Sequence, residues 1–185
     1  MSNFEYVRLP SYEGLFDELQ HMLSSGELTM SDGELSQQLC LNCVENNNDF
    51  LFGAGSLYRK YHNDKEIQVR VQDAKLEQDF TSLCSVFQGT GFEDLYDTLT
   101  EKYYVGRVRV IKLRPRSCLS WHRDTHMRLH YPLKTNEGCK MIVGDETMHM
   151  SPHNWWKMNT LKWHTAINAG DQDRYHIVTT ILGEK

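Results

Sequence analysis

The sequence has no uninterrupted apolar run long enough to cross a bilayer as a helix, although 39% of its 185 residues are hydrophobic. Its first residues lack the basic start and the apolar centre of a secretion signal. The formal net charge of -5 gives no electrostatic footprint for nucleic acid. These absences predict a cytoplasmic protein without membrane or nucleic-acid partners.

The cysteines show no disulfide framework. There are five of them, an odd number, and the sequence offers no extracellular context, so a reducing compartment is expected. Cys40 and Cys43 form a Cys-x-x-Cys spacing, but no second pair follows, which favours structural thiols over a metal site. His122 and His126 have the spacing of a helical zinc pair, yet the glutamate of the His-Glu-x-x-His motif is missing.

No linker or internal repeat divides the chain. A chain of 185 residues can bury a core of its own, so one domain over residues 1–185 is expected. Residues 1–103 are predicted to form a support of helices and loops, and residues 104–182 the β core.

Helical spacing of apolar residues marks two N-terminal segments. Residues 12–23 and residues 91–103 each place their apolar side chains on one face, as a helix packed against a sheet requires. Ser31 and Glu34 resemble the capping box of a further helix that runs to about Val44. Residues 46–65 are polar and are predicted to form loops.

From residue 104 the pattern changes to the alternation of strands. Residues 141–143 and 147–150 flank Gly144 and Asp145 as a predicted hairpin. In the last run, Arg174 and every second residue up to Thr180 share one face. Helices first and many short strands afterwards predict an α+β fold, mainly β in its C-terminal half, with a β-barrel or jelly roll buttressed by the N-terminal helices.

A metal-binding pattern lies within the predicted strands. His122 and Asp124 are two positions apart, and side chains at that spacing in an extended segment leave the backbone on the same side, about 7 Å apart. His164, on a later strand, supplies a second imidazole. Two histidines and one carboxylate leave three adjacent coordination positions open, which suits Fe(II) with dioxygen and a chelating co-substrate.

An arginine follows the second histidine. Turn residues at 168–171 predict a hairpin that brings Arg174 almost opposite His164 on the neighbouring strand. A guanidinium fork holds a carboxylate through two hydrogen bonds. Arg174 is therefore a candidate for a co-substrate carboxylate, whereas a surface arginine in a solvated ion pair would matter little.

Residues 104–182 resemble the aspartyl/asparaginyl β-hydroxylase-like branch of the Fe(II)/2-oxoglutarate oxygenases, a group that includes free-proline hydroxylases. The matching segments are Gly106-Arg107-Val108-Arg109, Trp121-His122-Arg123-Asp124, Arg128-Leu129-His130-Tyr131-Pro132-Leu133 and His164-Thr165-Ala166-Ile167-Asn168 running into Asp173-Arg174. The resemblance implies a double-stranded β-helix, which is a jelly-roll, cupin-like fold. It also implies a dioxygenase that hydroxylates an unactivated C-H bond of an amino acid, peptide or protein side chain.

The resemblance assigns roles to individual residues and implies Fe(II), 2-oxoglutarate and dioxygen as cofactor and co-substrates. The implied iron ligands are His122, Asp124 and His164, and the implied contacts to 2-oxoglutarate are Arg174, Arg128 and His130. From the residues alone, His130 is equally well interpreted as a core histidine bonded to backbone or as a contact to the co-substrate.

Two other functional classes stay open on the residues alone. A non-catalytic, metal-binding, cupin-like β-barrel could carry the same histidines, but it would have no need for Arg174 beside His164. A zinc-dependent hydrolase would require a general base beside the metal, and none is obvious. The sequence does not fix the oligomeric state, and small molecules, peptides and proteins are all possible substrates.

Overall fold

The computed structural model describes residues 2–55 and 76–185 in full, and residues 58–63 and 65–70 as backbone. Its α-helices are α1 (Leu15–Ser25) and α2 (Gly91–Lys102), and neither is long and apolar enough to span a membrane. The strands are β1 (Phe4–Val7), β2 (Ser36–Cys40), β3 (Asn42–Val44), β4 (Tyr58–Asn63), β5 (Lys65–Arg70), β6 (Phe80–Leu83), β7 (Tyr103–Leu113), β8 (Ser117–Cys118), β9 (Arg128–Lys134), β10 (Cys139–Val143), β11 (Glu146–Met148), β12 (Trp155–Met158), β13 (His164–Asn168) and β14 (Arg174–Glu184). Two short 3₁₀ helices lie at Glu77–Asp79 and Ser85–Phe87.

Two antiparallel sheets form the β core. The larger has six strands in the order β1-β12-β9-β14-β7-β2, and the smaller has four in the order β11-β10-β13-β8. One apolar cluster includes Leu113 and Met158 from the larger sheet and Met141 and Ala166 from the smaller one. The sheets therefore face each other across shared side chains, which confirms the predicted jelly roll.

The other face of the larger sheet packs against the helices. On β14, Tyr175, Ile177 and Ile181 lie on the face opposite to Arg174 and Val178 and join a buried cluster with residues of both helices. α1 buries Leu15, Leu19 and Met22 at helical spacing, and α2 buries Phe92, Leu95, Tyr96 and Leu99. The two predicted N-terminal helices are thus confirmed as a buttress, with boundaries within three residues of those expected from the sequence.

The predicted helix between Ser31 and Val44 is wrong, because this segment forms β2 and β3. The Ser31 hydroxyl does not cap a helix; it accepts a hydrogen bond from the Gln38 N–H at an O···N distance of 3.0 Å. β2 then pairs along the edge of β7, where Leu39 and Cys40 are fully buried. Burial at a sheet edge outweighs a weak local helix signal here.

The predicted hairpin between His164 and Arg174 is also wrong. Both edges of β13 are already paired, with β10 and β8, so β14 lies in the other sheet between β7 and β9. The intervening turn crosses between the sheets, and the Asn168 side chain fixes it by donating to Leu113 O at 3.1 Å and Gln172 O at 2.8 Å.

The predicted hairpin at Gly144 is confirmed, since β10 pairs with β11 there. The loops predicted over residues 46–65 give way to β4 at Tyr58, while residues 56, 57 and 64 lie outside the described residues.

We predict that Asn42→Ala lowers the free energy of unfolding by about 3 kcal/mol, because it leaves several buried backbone groups unpaired. The fully buried Asn42 amide donates to Phe80 O at 2.9 Å and Gly106 O at 2.8 Å and accepts from Val108 N at 2.8 Å. Urea unfolding followed by circular dichroism measures the change. Substitution of the exposed Gln20 by alanine is the control, and equal stability of the two variants would contradict the prediction.

Candidate functional site

A cavity of about 670 Å³ lies between the two sheets. Its lining includes all six residues singled out by the sequence, which are His122, Asp124, Arg128, His130, His164 and Arg174. A volume of this size is within the range of small-molecule and cofactor sites.

The two predicted histidine ligands lie side by side because their backbones pair. The His122 N–H donates to His164 O at 3.1 Å, and the His164 N–H donates to His122 O at 2.8 Å. This isolated bridge holds the imidazole centroids 4.3 Å apart. The segment around His122 is thus extended, as its spacing to Asp124 requires.

Asp124 completes the group. Its N–H donates to Thr160 O at 2.8 Å, which anchors the backbone, and its Oδ2 atom lies 3.7 Å from His164 Nε2. One donor atom from each of His122, Asp124 and His164 lies within 4.8 Å of the others. Three such atoms can bind one divalent ion, since metal–ligand bonds to nitrogen and oxygen are about 2.0–2.2 Å.

Backbone carbonyls orient both imidazoles. His122 Nδ1 donates to Ser120 O at 2.6 Å, and His164 Nδ1 donates to Lys162 O at 2.9 Å. Each Nε2 atom is therefore left as the lone-pair donor. Metal-binding histidines usually have their second nitrogen fixed in this way.

Arg128 holds the carboxylate ligand in place and in its charged form. Its Nε atom donates to Asp124 Oδ2 at 2.9 Å. Burial alone would raise the pKa of Asp124, but the charge and hydrogen bond of Arg128 outweigh it and lower the pKa to about 2. Asp124 is consequently an anion at neutral pH, the state in which a carboxylate binds metal.

Glu77 is a buried acid that no sequence pattern indicated. Its Oε1 atom lies 2.8 Å from Arg107 Nη2 and 3.4 Å from Arg128 Nη1, and its Oε2 atom accepts from the Thr180 hydroxyl at 3.0 Å. Although burial opposes ionisation, these arginines hold the Glu77 pKa well below its usual range. Glu77 therefore links its 3₁₀ helix to β7, β9 and β14 of the larger sheet, and it supports Asp124 through Arg128.

Arg174 is a buried cation without a carboxylate partner among the described residues. It is 2% exposed, its Nη1 atom contacts Met141 Sδ at 3.2 Å, and its Nε atom has no hydrogen-bond partner. Burial lowers its pKa to about 10, so it stays charged at neutral pH. Such a group is costly to bury unless an anion binds to it.

His130 also presents unpartnered polar atoms to the cavity. It is 5% exposed, and neither ring nitrogen has a hydrogen-bond partner in the described part of the chain. Burial, followed by the charge of Arg174, holds its pKa well below the usual range, so the ring is neutral. His176, for which no role was predicted, is buried beside His130, with the two ring centroids 5.8 Å apart. Its two ring nitrogens also have no hydrogen-bond partner among the described residues.

The two other candidate metal-binding pairs, His122 with His126 and Cys40 with Cys43, do not form a group of metal ligands among the described residues. His126 is absent from the cavity lining, and its Nδ1 atom is 2.9 Å from the Thr125 hydroxyl. Cys40 and Cys43 are free and buried, as expected of structural thiols. Among the described residues, the single group of at least three close metal-ligand side chains is His122, Asp124 and His164.

Comparison with protein families gives one match. The sequence model of the family described as Aspartyl/Asparaginyl beta-hydroxylase matches residues 63–182, well over half of the chain. A search of curated proteins gives no significant match.

Solved structures give matches at low sequence identity. An oxidoreductase of the 2OG-Fe(II) oxygenase family from Burkholderia pseudomallei matches with a TM-score of 0.53 at 12% identity, over 96% of this chain and 83% of that chain. A viral collagen prolyl hydroxylase from Paramecium Bursaria Chlorella virus-1, solved as its 2OG complex, matches with a TM-score of 0.49 at 12% identity, over 97% and 96% of the two chains. A cupin domain from Bordetella pertussis Tohama I matches with a TM-score of 0.36 at 17% identity, over 40% of this chain and 79% of that chain. The Burkholderia match supports the jelly-roll fold.

We predict that Glu77→Gln lowers the free energy of unfolding at pH 7 by about 3 to 5 kcal/mol, because buried Arg107 loses its carboxylate partner and Arg128 loses one of its two. The folded pKa of Glu77 is depressed, so its contribution is complete above the unfolded pKa of about 4.3. The contribution declines as the pH falls below that value towards the lower folded pKa.

Urea unfolding at pH 7 and at pH 3 tests this prediction. The stability difference between wild type and Glu77→Gln should be smaller at pH 3, while Glu101→Gln, at an exposed position, should match wild type at both values. A difference that is independent of pH would contradict the assignment of an ionised, paired Glu77.

Proposed function

Because this chain belongs to the aspartyl/asparaginyl β-hydroxylase family and is an oxygenase, we propose that its cavity binds Fe(II) through His122, Asp124 and His164 and uses 2-oxoglutarate and dioxygen to hydroxylate its substrate. Two histidines and one carboxylate form the ligand set that suits non-haem Fe(II) oxygenases. The residues fit the group, since each Nδ1 atom is bonded to a backbone carbonyl, which leaves Nε2 to the metal, and Asp124 is held ionised.

The observation that carries this proposal is the buried, unpaired guanidinium of Arg174 in the same cavity as the three ligands. A co-substrate with a carboxylate at its far end supplies the missing anion. 2-Oxoglutarate is such a molecule, and its other end is an oxo acid that can chelate a metal. Arg174 thus fixes the length and orientation of the co-substrate through a paired hydrogen-bond fork.

When bound, iron and 2-oxoglutarate supply the activation of dioxygen that converts a C-H bond to C-OH, with succinate and carbon dioxide as co-products. The protein holds and orients the reacting groups. Arg128 keeps Asp124 ionised and aimed at the metal position, and the carbonyls of Ser120 and Lys162 fix the imidazoles. The apolar side chains of Met141 and Val178 line the same cavity.

We include His130 and Arg128 as co-substrate contacts. The unpartnered ring nitrogens of His130 support a hydrogen bond to bound 2-oxoglutarate, with the neutral ring able to donate or accept. Arg128 already uses Nε on Asp124 and Nη1 on Glu77, so its contribution would come from the second terminal nitrogen. Its main role in this proposal is to position Asp124.

The proposed substrate is an amino acid, either free or as the side chain of a peptide or protein, as the family description suggests. We also propose a single oxygenase domain over residues 1–185, supported by the buried cluster that joins α1, α2 and the larger sheet. A cytoplasmic location is supported by the five cysteines, all of which are free thiols.

We predict that His122→Ala and His164→Ala abolish 2-oxoglutarate turnover to succinate, because two protein ligands no longer hold Fe(II). The assay screens amino acids and peptides for stimulation of succinate formation by wild type. Circular dichroism should show that both variants retain the fold, and Mn(II) binding followed by electron paramagnetic resonance should be lost. His126→Ala is the matched control. The assignment of ligands would be refuted if His126→Ala lost activity while His122→Ala and His164→Ala kept it.

We predict that Arg174→Ala weakens 2-oxoglutarate binding by about 2 to 5 kcal/mol, because a buried charge pair loses one partner. Arg174→Lys should recover only part of the affinity, since lysine keeps the charge and loses the fork. Calorimetric titration of 2-oxoglutarate into Fe(II)-loaded protein without oxygen measures these differences. Equal affinity in wild type and Arg174→Ala would mean that the co-substrate is held elsewhere or is not 2-oxoglutarate.

A further inference from the structure

We propose that Arg109 binds a carboxylate of the substrate, so that this oxygenase selects substrates that carry a free carboxylate. The inference rests on the proposed function, in which the same cavity holds iron and 2-oxoglutarate. It adds a second anion position, separate from Arg174, and defines the chemical class of the molecule that is hydroxylated.

Arg109 lies on β7, lines the cavity and is 8% exposed. Its Nη1 atom donates to two neutral acceptors, Gln38 Oε1 at 3.0 Å and Gly55 O at 3.2 Å. Its Nε atom has no hydrogen-bond partner among the described residues. The guanidinium is therefore held by neutral groups, and its buried Nε–H donor is unpaired among the described residues.

Among the residues whose side chains are described, the charges around Arg109 leave it as the excess cation. Glu77 is shared by Arg107 and Arg128, and Asp124 is bonded to Arg128. Three guanidiniums thus lie near two carboxylates, and neither carboxylate is hydrogen-bonded to Arg109. Burial, followed by the charge of Arg107, lowers the pKa of Arg109 to about 9, so it remains charged at neutral pH and favours an anion.

The strand register separates Arg109 from the co-substrate position. On β14, Arg174 pairs with Leu113, whereas Val178 pairs with Arg109. Four residues along a strand correspond to about 13 Å, so Arg109 and Arg174 extend into the cavity from well-separated backbone positions. The cavity of about 670 Å³ has room for a second small molecule beside the five-carbon co-substrate.

The test uses Zn(II)-loaded protein with 2-oxoglutarate bound, so that no turnover occurs. The probes are amino acids and N-acetyl amino acids with a free α-carboxylate, each compared with its α-amide. The ¹⁵N resonance of the Arg109 Nε–H group, assigned by its absence in Arg109→Lys, reports binding directly. Succinate formation by the Fe(II) enzyme with the same probes gives a second measure.

At least one acid should shift the Arg109 resonance, and its amide should not. Arg109→Gln should weaken binding of that acid roughly 30-fold or more while 2-oxoglutarate binding is unchanged. Arg109→Lys should recover part of the affinity, and Arg114→Gln, at an exposed position of the β7 exit, should behave as wild type.

The proposal is overturned if no acid shifts the resonance, if amides bind as well as acids, or if Arg109→Gln binds the acid as wild type does. The comparison of acids with amides is made on the wild-type protein, so it decides the matter even if Arg109→Gln fails to fold. Failure of wild type to bind 2-oxoglutarate would instead overturn the proposed function, which separates the two conclusions.

Discussion

The buried ion network around Glu77 is the constraint on which the cavity depends. Glu77 accepts from Arg107 and Arg128, and Arg128 in turn holds Asp124 at 2.9 Å between Nε and Oδ2. The network joins a 3₁₀ turn, β7, β9 and the loop that carries a proposed metal ligand. Because an unpaired buried charge is costly, the loss of one member of the network destabilises the others. Glu77 thereby positions Asp124 through Arg128, without a hydrogen bond of its own to Asp124.

Much of the fold could be predicted from periodicity. The alternation in β14 correctly placed Arg174 and Val178, which line the cavity, on the opposite face from Tyr175, Ile177 and Ile181, which pack with the helices, because strand geometry alone fixes that separation. The pairing of strands could not be read in the same way. β2 is a strand because β7 offers it an edge, and β13 does not pair with β14 because its own edges are filled by β8 and β10. These are tertiary outcomes that short-range patterns do not encode.

The same distinction between local patterns and tertiary outcomes applies to the residues of the site. His122 and Asp124 share a local spacing, and the motif segments around His164 and Arg174 are recognisable in the sequence, so local patterns suffice to select these residues. Glu77 could not be selected in this way, since its partners are at least 30 residues away and no motif surrounds it. The unpaired state of Arg109 and Arg174 is equally invisible in a sequence. It emerges only when burial and hydrogen bonding are known, and it points to two separate carboxylates in one cavity.

The central claim, that this cavity holds Fe(II) and 2-oxoglutarate together, is tested most directly by anaerobic visible spectroscopy. Chelation of Fe(II) by a 2-oxo acid produces a charge-transfer absorption. We expect 2-oxoglutarate added to the Fe(II)-loaded protein to produce this absorption and to saturate it at one equivalent, and we expect none from His164→Ala. Absence of the absorption in wild type, or equal absorption in His164→Ala, would contradict the account.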